Sequence, residues 1–199
     1  MQKRRVDLQK LEDILLDTKK DTVSSRREFI KNTSLLVGSA MFFPNILLSK
    51  NNNIKTLQLF DTHIKKEFDI LFWENGQYLT KGLDQISQAL MDHRSGEIIN
   101  IDYKLADLLY EVKCSTNAKK PINIYSGYRS PKTNERLRRH RRGVAKHSYH
   151  ILGQAVDINI PGVSLRRVKN SARNLKAGGV GYYPRSGFVH LDIGPVRHW

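Results

Sequence analysis

Cysteine is almost missing from this 199-residue chain: Cys114 stands alone, so no intrachain disulfide can staple the fold, and either redox compartment is open to it. Stability must therefore come from a packed core and from any bound ion. No Gly-x-Ser-x-Gly elbow occurs, and Cys114 lies in a helically spaced segment far from the polar motifs, which excludes a serine or cysteine nucleophile set. Cys114 reads as a half-buried packing residue. No apolar run reaches the roughly 20 residues that a membrane-spanning helix needs. Internal repeats are missing too, and low complexity is confined to Ser49–Asn53. Acidic residues are scarce, 19 against 34 Lys and Arg, which leaves a net charge of +15. The excess peaks in residues 132–146, with seven Lys or Arg against one Glu. That run has no interleaved aromatics for base stacking, and neither helix-turn-helix nor zinc-finger spacing accompanies it, so no nucleic-acid partner is expected. The run fits a solvated face, or one that draws in an acidic polymer.

Near the N-terminus, Ser25-Arg-Arg-Glu-Phe-Ile-Lys31 precedes a mostly apolar stretch from Thr33 to Phe43. The pattern predicts a twin-arginine export signal over residues 25–48, and hence a periplasmic protein delivered already folded by the twin-arginine machinery. A basic amphipathic helix is the plainer alternative. Pro44 and Asn45 interrupt the apolar segment and no clean Ala-x-Ala site follows, so a membrane contact is expected only through this segment, if it is retained. Residues 1–24 form a charged leader without an assigned role, 49–53 a linker, and 54–199 one domain, long enough to bury a core unaided.

Within that domain two segments concentrate metal-binding chemistry. In Ala155-Val-Asp-Ile-Asn-Ile160, Val156, Ile158 and Ile160 alternate with Asp157 and Asn159, as a half-buried strand requires. In Phe188-Val-His-Leu-Asp-Ile193 the same period separates Val189, Leu191 and Ile193 from His190 and Asp192. His150 precedes the first strand, and Gly153 allows a tight turn between them. His and carboxylate ligands with one open position make a catalytic zinc site. Taken by spacing alone, the pattern fits a structural histidine beside a solvated carboxylate equally well.

Further motifs tip that balance. Ser126-Gly-Tyr-Arg-Ser130, Ser148-Tyr-His150-x-x-Gly153-x-Ala155-x-Asp157, Gly178-Gly-Val-Gly-Tyr-Tyr-Pro184 and Phe188-Val-His-Leu-Asp192 occur in that order, ahead of Gly194-Pro-Val-Arg-His-Trp199. Together they resemble the YcbK-like murein endopeptidases of the zinc D-alanyl-D-alanine peptidase superfamily, whose fold is shared with the hedgehog signalling domain. The resemblance spans residues 54–199. It implies one zinc ion per chain held by His150, Asp157 and His190, with Arg129 facing the substrate to stabilise a developing oxyanion, as a permanently charged guanidinium can. Ser126, Tyr128, Ser148 and Tyr183 are the implied substrate-binding or ligand-positioning residues. The implied activity is hydrolysis of amide bonds in the stem-peptide cross-links of peptidoglycan by metal-activated water. Carboxypeptidase action on D,D or L,D stem-peptide ends, or an inert wall-binding module, are the alternatives.

One departure bears on mechanism. Several relatives place a glutamate three residues before the last histidine ligand as general base, and this chain has Gly187 there. Asp192, which a strand returns to the face of His190 at about 6 to 7 Å, is the expected replacement. A shifted register would make Asp192 the ligand and His190 the base; imidazole is the commoner partner for zinc.

The remaining pattern predicts an α+β domain with a mostly antiparallel sheet, helices on one side and the metal in a cleft on the open face. Strands are expected at Leu57–Phe60, Ile64–Phe72 and Gln77–Leu79, with a hairpin turn at Asn75-Gly76. Leu83, Ile86, Leu90 and Met91 recur at helical spacing, as do Leu105, Leu108, Leu109 and Val112. Pro121 opens a strand through Tyr125 that delivers Tyr128 and Arg129. Ser164 caps a helix running to about Ala177, ended by Gly178-Gly179.

Overall fold

The computed structural model describes residues 53–140 and 143–199; the charged leader, the twin-arginine segment and nearly all of the linker lie outside them. Eight strands form one sheet: β1 (Ile54–Asp61), β2 (Lys66–Glu74), β3 (Gln77–Tyr78), β4 (Ile122–Ser126), β5 (Ala155–Asn159), β6 (Gly179–Tyr183), β7 (Phe188–Asp192) and β8 (Arg197–His198). Their spatial order is β3-β2-β1-β4-β5-β7-β6-β8. Only the β1–β4 and β6–β8 pairs are parallel, so the mostly antiparallel sheet follows the expectation.

Alternation builds this sheet from the sequence. Leu57 and Leu59 of β1, Ile70 and Phe72 of β2, Ile122 and Ile124 of β4, Val156 and Ile158 of β5, and Val189 and Leu191 of β7 are all buried. The turn between β2 and β3 uses Asn75 and Gly76 at positive φ, 48° and 87°, which matches the right-handed twist of a two-residue hairpin. β2 starts at Lys66 rather than Ile64, because Thr62–Lys65 make the turn out of β1 and Lys65 takes φ 55°.

Four α-helices are described: α1 (Thr80–Ala89), α2 (Tyr103–Ser115), α3 (Pro131–His140) and α4 (Leu165–Leu175). α1 packs on β2, α2 on β1, and α4 on β6 and β7 while touching α2. Leu105, Leu109 and Val112 of α2 and Val168 and Ala172 of α4 carry these contacts into the shared core. Ser164 caps α4 as expected, its hydroxyl accepting the Arg167 N–H at 3.3 Å. The helix ends earlier than predicted: Lys176, in the left-handed conformation at φ 51°, is the cap, and the glycine pair is left for another purpose. Cys114 is exposed rather than half-buried, because it falls on the outer face of α2.

The sequence pattern missed α3. Only Thr133 and Asn134 of this helix are buried, so it carries no apolar stripe for periodicity to find. Glu135 is salt-bridged to both Arg138 and Arg139, one turn on. Among the described residues no helix is long and apolar enough to cross a membrane.

Candidate metal centre

Antiparallel register brings the first two donors together. Asp157 of β5 sits directly opposite His190 of β7, and cross-strand neighbours stand close enough for their side chains to touch. His190 Nδ1 lies 2.8 Å from Asp157 Oδ1. His150 arrives from a 3₁₀ turn, Tyr149–Leu152, just ahead of β5. Ser148 opens that turn, its hydroxyl accepting the His150 N–H at 3.4 Å, so it positions the histidine through the backbone. Gly153 closes the turn at φ 66°, where a Cβ would lie 3.0 Å from the Ile99 side chain and strain the backbone besides.

Each imidazole has one nitrogen fixed by an acceptor. His150 Nδ1 is 2.7 Å from the Gly127 carbonyl, which can only accept, so the proton sits on Nδ1 and the Nε2 lone pair points at the cluster. That Nε2 is 3.2 Å from His190 Nδ1 and 3.3 Å from Asp157 Oδ1. His190 is anchored at Nε2, which lies 3.0 Å from Asp192 Oδ2. The inward set is thus His150 Nε2, Asp157 Oδ1 and His190 Nδ1.

The donor set fits a divalent ion. The three residues offer ligand atoms within 4.8 Å of one another. Their closest separations, 2.8, 3.2 and 3.3 Å, compare with the edge of about 3.3 Å that a tetrahedron of roughly 2.0 Å bonds requires. Two imidazoles and one carboxylate are a borderline-soft ligand set, suited to zinc.

The electrostatics agree with that reading. Burial works against an ionised Asp157, yet His150 and His190 beside it hold its carboxyl well below the usual carboxylate range. Burial pushes His150 down, and this outweighs the pull of Asp157, leaving the neutral form that a metal ligand needs. Burial would lower His190 as well, but its bonds to Asp157 and Asp192 prevail and raise it. Both nitrogens of that ring face carboxylate oxygens, and a divalent cation can take the place of the proton on the Nδ1 side.

Arg129 stands at the same carboxylate. Its guanidinium Nη2 is 2.6 Å from Asp157 Oδ2, and its Nε donates to Ser126 Oγ at 2.8 Å. Asp157 therefore shows one oxygen to the histidines and the other to Arg129. The loop holding Arg129 is pinned by Asp92, a buried residue that the sequence pattern did not flag. Asp92 Oδ2 accepts the Ser130 N–H at 2.9 Å and Oδ1 the Arg94 N–H at 3.0 Å. Burial would raise its carboxyl, but hydrogen bonds from Thr133, Ser130 and Arg94 bring it down to about 2. The only sequence signal was a buried-type position carrying a carboxylate at the end of the α1 stripe.

One expected substrate contact needs revision. Tyr128 is only 6 % exposed and belongs to the hydrophobic core, because its backbone N–H bonds the Leu90 carbonyl and turns the ring inward. It does not line the cleft. Tyr183 is half-buried at the end of β6, stacked on Phe188, and its hydroxyl accepts the Trp199 indole N–H at 2.7 Å. Trp199 itself has its ring centroid 5.5 Å from that of His190 and is 52 % exposed, so it is a further aromatic beside the site. Asp192, expected as general base, is fully buried and meets the far nitrogen of His190, Nε2, while Nδ1 of the same ring faces Asp157 and His150.

Comparison with known proteins accords with this geometry. A family model described as peptidoglycan L,D-endopeptidase MepK matches residues 49–199. The peptidoglycan L,D-endopeptidase MepK of Escherichia coli is 37 % identical over 177 residues, covering 88 % of this chain and 97 % of that protein. The probable peptidoglycan L,D-endopeptidase MepK of Haemophilus influenzae is 44 % identical over 118 residues, 59 % of this chain and 63 % of that protein. No solved structure matches the chain. Matched by the model over its whole described portion, and by a relative over nearly that relative's full length, the chain belongs to the peptidoglycan L,D-endopeptidase MepK family.

Proposed function

We propose that this chain is a zinc-dependent peptidoglycan endopeptidase that hydrolyses amide bonds in stem-peptide cross-links, at bonds between an L and a D centre. The observation that carries the reading is the convergence of His150 Nε2, Asp157 Oδ1 and His190 Nδ1. Family membership supports both the substrate class and the metal. The bond type is taken from what the relatives are named for.

A bound zinc ion would polarise the scissile carbonyl and bring the pKa of its water toward neutrality. The remaining work falls to this chain's side chains. His150, Asp157 and His190 would fix the ion, each oriented by a separate partner: the Gly127 carbonyl, the Arg129 guanidinium and the Asp192 carboxylate. Arg129 would meet negative charge as it develops on the carbonyl oxygen, since its donors are already placed and need no reorganisation. Its bond to Ser126 keeps the guanidinium plane fixed. Ser148 would act on the site through the His150 turn, and Tyr183 with Trp199 would form one aromatic wall.

Residues 54–199 would constitute the peptidase domain, and residues 25–48 a twin-arginine signal carrying it to the periplasm, where its substrate is. A net charge of +15 favours adsorption to an acidic wall polymer over long range. The test is digestion of isolated sacculi by purified, zinc-loaded protein, with separation of the muropeptides. Loss of L,D cross-linked dimers supports the proposal, and cross-linking that stays unchanged overturns it.

A further inference from the structure

We infer that Asp192 is a positioning residue for His190 and that Arg197 of β8 holds it in that role, so that the end of the chain from Arg197 to Trp199 sets the geometry of the metal centre. The inference rests on His190 being a zinc ligand, as proposed above.

The argument starts from the oxygens of Asp192. Oδ1 accepts from the Gly179 N–H at 3.1 Å, the Gly194 N–H at 2.9 Å and Arg197 Nη1 at 3.0 Å. Oδ2 accepts from Arg197 Nη2 at 2.8 Å and His190 Nε2 at 3.0 Å. Five donors on one carboxylate exceed its roughly four lone-pair directions, so nothing remains for a proton from water. The side chain is fully buried as well. A carboxylate so committed is a poor proton acceptor and a good fixed acceptor for an imidazole N–H.

That commitment selects a tautomer. With Nε2–H given to Asp192, His190 must bind a metal through Nδ1, and Nδ1 is the nitrogen that faces Asp157 and His150. A histidine ligand oriented by a carboxylate on its far nitrogen is a general device for fixing ring angle and raising ligand basicity. Here the device has a further layer. The Arg197 guanidinium lies 5.1 Å from the Tyr149 ring centroid and 5.2 Å from that of Trp199, between the residue preceding His150 and the aromatic beside His190. A fork held by two rings presents both its nitrogens to one carboxylate, which an ammonium on a flexible stem cannot do.

Two glycines of β6 belong to this arrangement. A Cβ on Gly179 would come within 2.4 Å of Asp192 Oδ2 and 2.7 Å of Arg197 Nη1. A Cβ on Gly181 would come within 2.8 Å of the Trp199 ring. Side chains at either position would push the carboxylate, the guanidinium or the indole out of place.

The experiment measures zinc affinity by chelator competition, together with the visible spectrum of the cobalt(II)-substituted protein and thermal stability without metal, for wild type, Asp192→Asn, Arg197→Gln and Arg197→Lys. Asp192→Asn is expected to weaken zinc binding about 10–100-fold, the range seen when such oriented partners are lost. Arg197→Gln should weaken it less and shift the cobalt spectrum in the same direction, while Arg197→Lys does not restore the wild-type spectrum. A purely structural role would lower the melting temperature and leave the spectrum and affinity of the folded fraction alone. Should Asp192→Asn fail to fold, the Arg197 pair decides. Wild-type affinity and spectrum in every folded variant overturn the inference, as does wild-type zinc affinity in Asp192→Asn with turnover abolished, since that outcome makes Asp192 the base. If wild-type protein itself binds no zinc, the metal reading falls first and takes this inference with it.

Discussion

The two halves of the sheet treat the face away from the core in opposite ways. Along β1 and β2, side chains between the buried leucines, isoleucine and phenylalanine, such as Thr56, Gln58 and Asp69, keep contact with solvent. Along β5 and β7, the corresponding positions hold Asp157, His190 and Asp192, and the two carboxylates are almost wholly buried. Burying a charge is costly unless it is paired and hydrogen-bonded, so an unspecialised sheet leaves its polar face wet. β5 and β7 pay that cost with His150, His190, Arg129 and Arg197 as partners. The contrast teaches that the alternation shared by both halves builds the sheet, whereas buried polar residues on one half mark where the chemistry is.

The sharpest way to break the contrast is to remove a donor. His150→Ala or Asp157→Asn should eliminate zinc binding and leave no measurable muropeptide release, while circular dichroism of the sheet persists; metal analysis and sacculus digestion check both. Arg129→Gln leaves the three donors in place. It should lower kcat by about 10²–10³-fold, the usual loss when one preorganised donor to an oxyanion is removed. Zinc content near one per chain in the same sample would separate this from ligand loss, and a metal-free variant would contradict it.

A mutation in the other half should do the reverse. Leu59→Ala, at a fully buried position of β1, is expected to destabilise the fold by about 2–5 kcal/mol in urea titration and to leave kcat of the folded protein nearly unchanged. A large fall in kcat at unchanged stability would mean that the halves are not separable. The smallest effect concerns a pair in that same region. His93 stacks on His63 at 3.4 Å between ring centroids. Burial first, and then the Arg94 and His63 charges, push His93 down from 6.5 to about 4. The unfolded chain therefore takes up this proton at higher pH than the folded one. The contribution is present above about pH 6.5 and is lost as pH falls toward 4. His93→Asn should flatten that part of the pH–stability curve, measured by thermal melts from pH 7 to 4. An unaltered slope would remove His93 as its source.

Much of this was legible residue by residue. The apolar stripes at Leu83–Met91 and Leu105–Val112, the Asn75-Gly76 turn and the Ser164 cap translate local rules directly into α1, α2, the β2–β3 hairpin and the start of α4. The candidate donors were legible because His150, Asp157 and His190 fall in short, ordered motifs. α3 was not, since a helix whose surface is nearly all Lys, Arg and polar residues has no period to read. Tyr128 was misplaced because its direction depends on a bond to Leu90, 38 positions earlier. Gly187 lies in the turn between β6 and β7. Asp192 does share the His190 face of β7, but that its oxygens are taken up by Gly179, Gly194, Arg197 and His190 could not be read from spacing along one strand.

By itself the sequence determined six of the eight strands, three of the four α-helices and the residues able to bind a metal, because alternation, capping and turn chemistry act over a few neighbouring positions; β6 and β8 were not among them. Only the tertiary structure decided which nitrogen of His190 turns inward, that Asp157 divides its oxygens between histidine and arginine, and that Arg197 occupies Asp192. Asp157 meets Arg129 and His190 across 28 and 33 positions, and Arg197, only five positions from Asp192, lies on a strand that pairs with β6, so hydrogen-bond direction at these buried carboxylates exists only once the strands have paired.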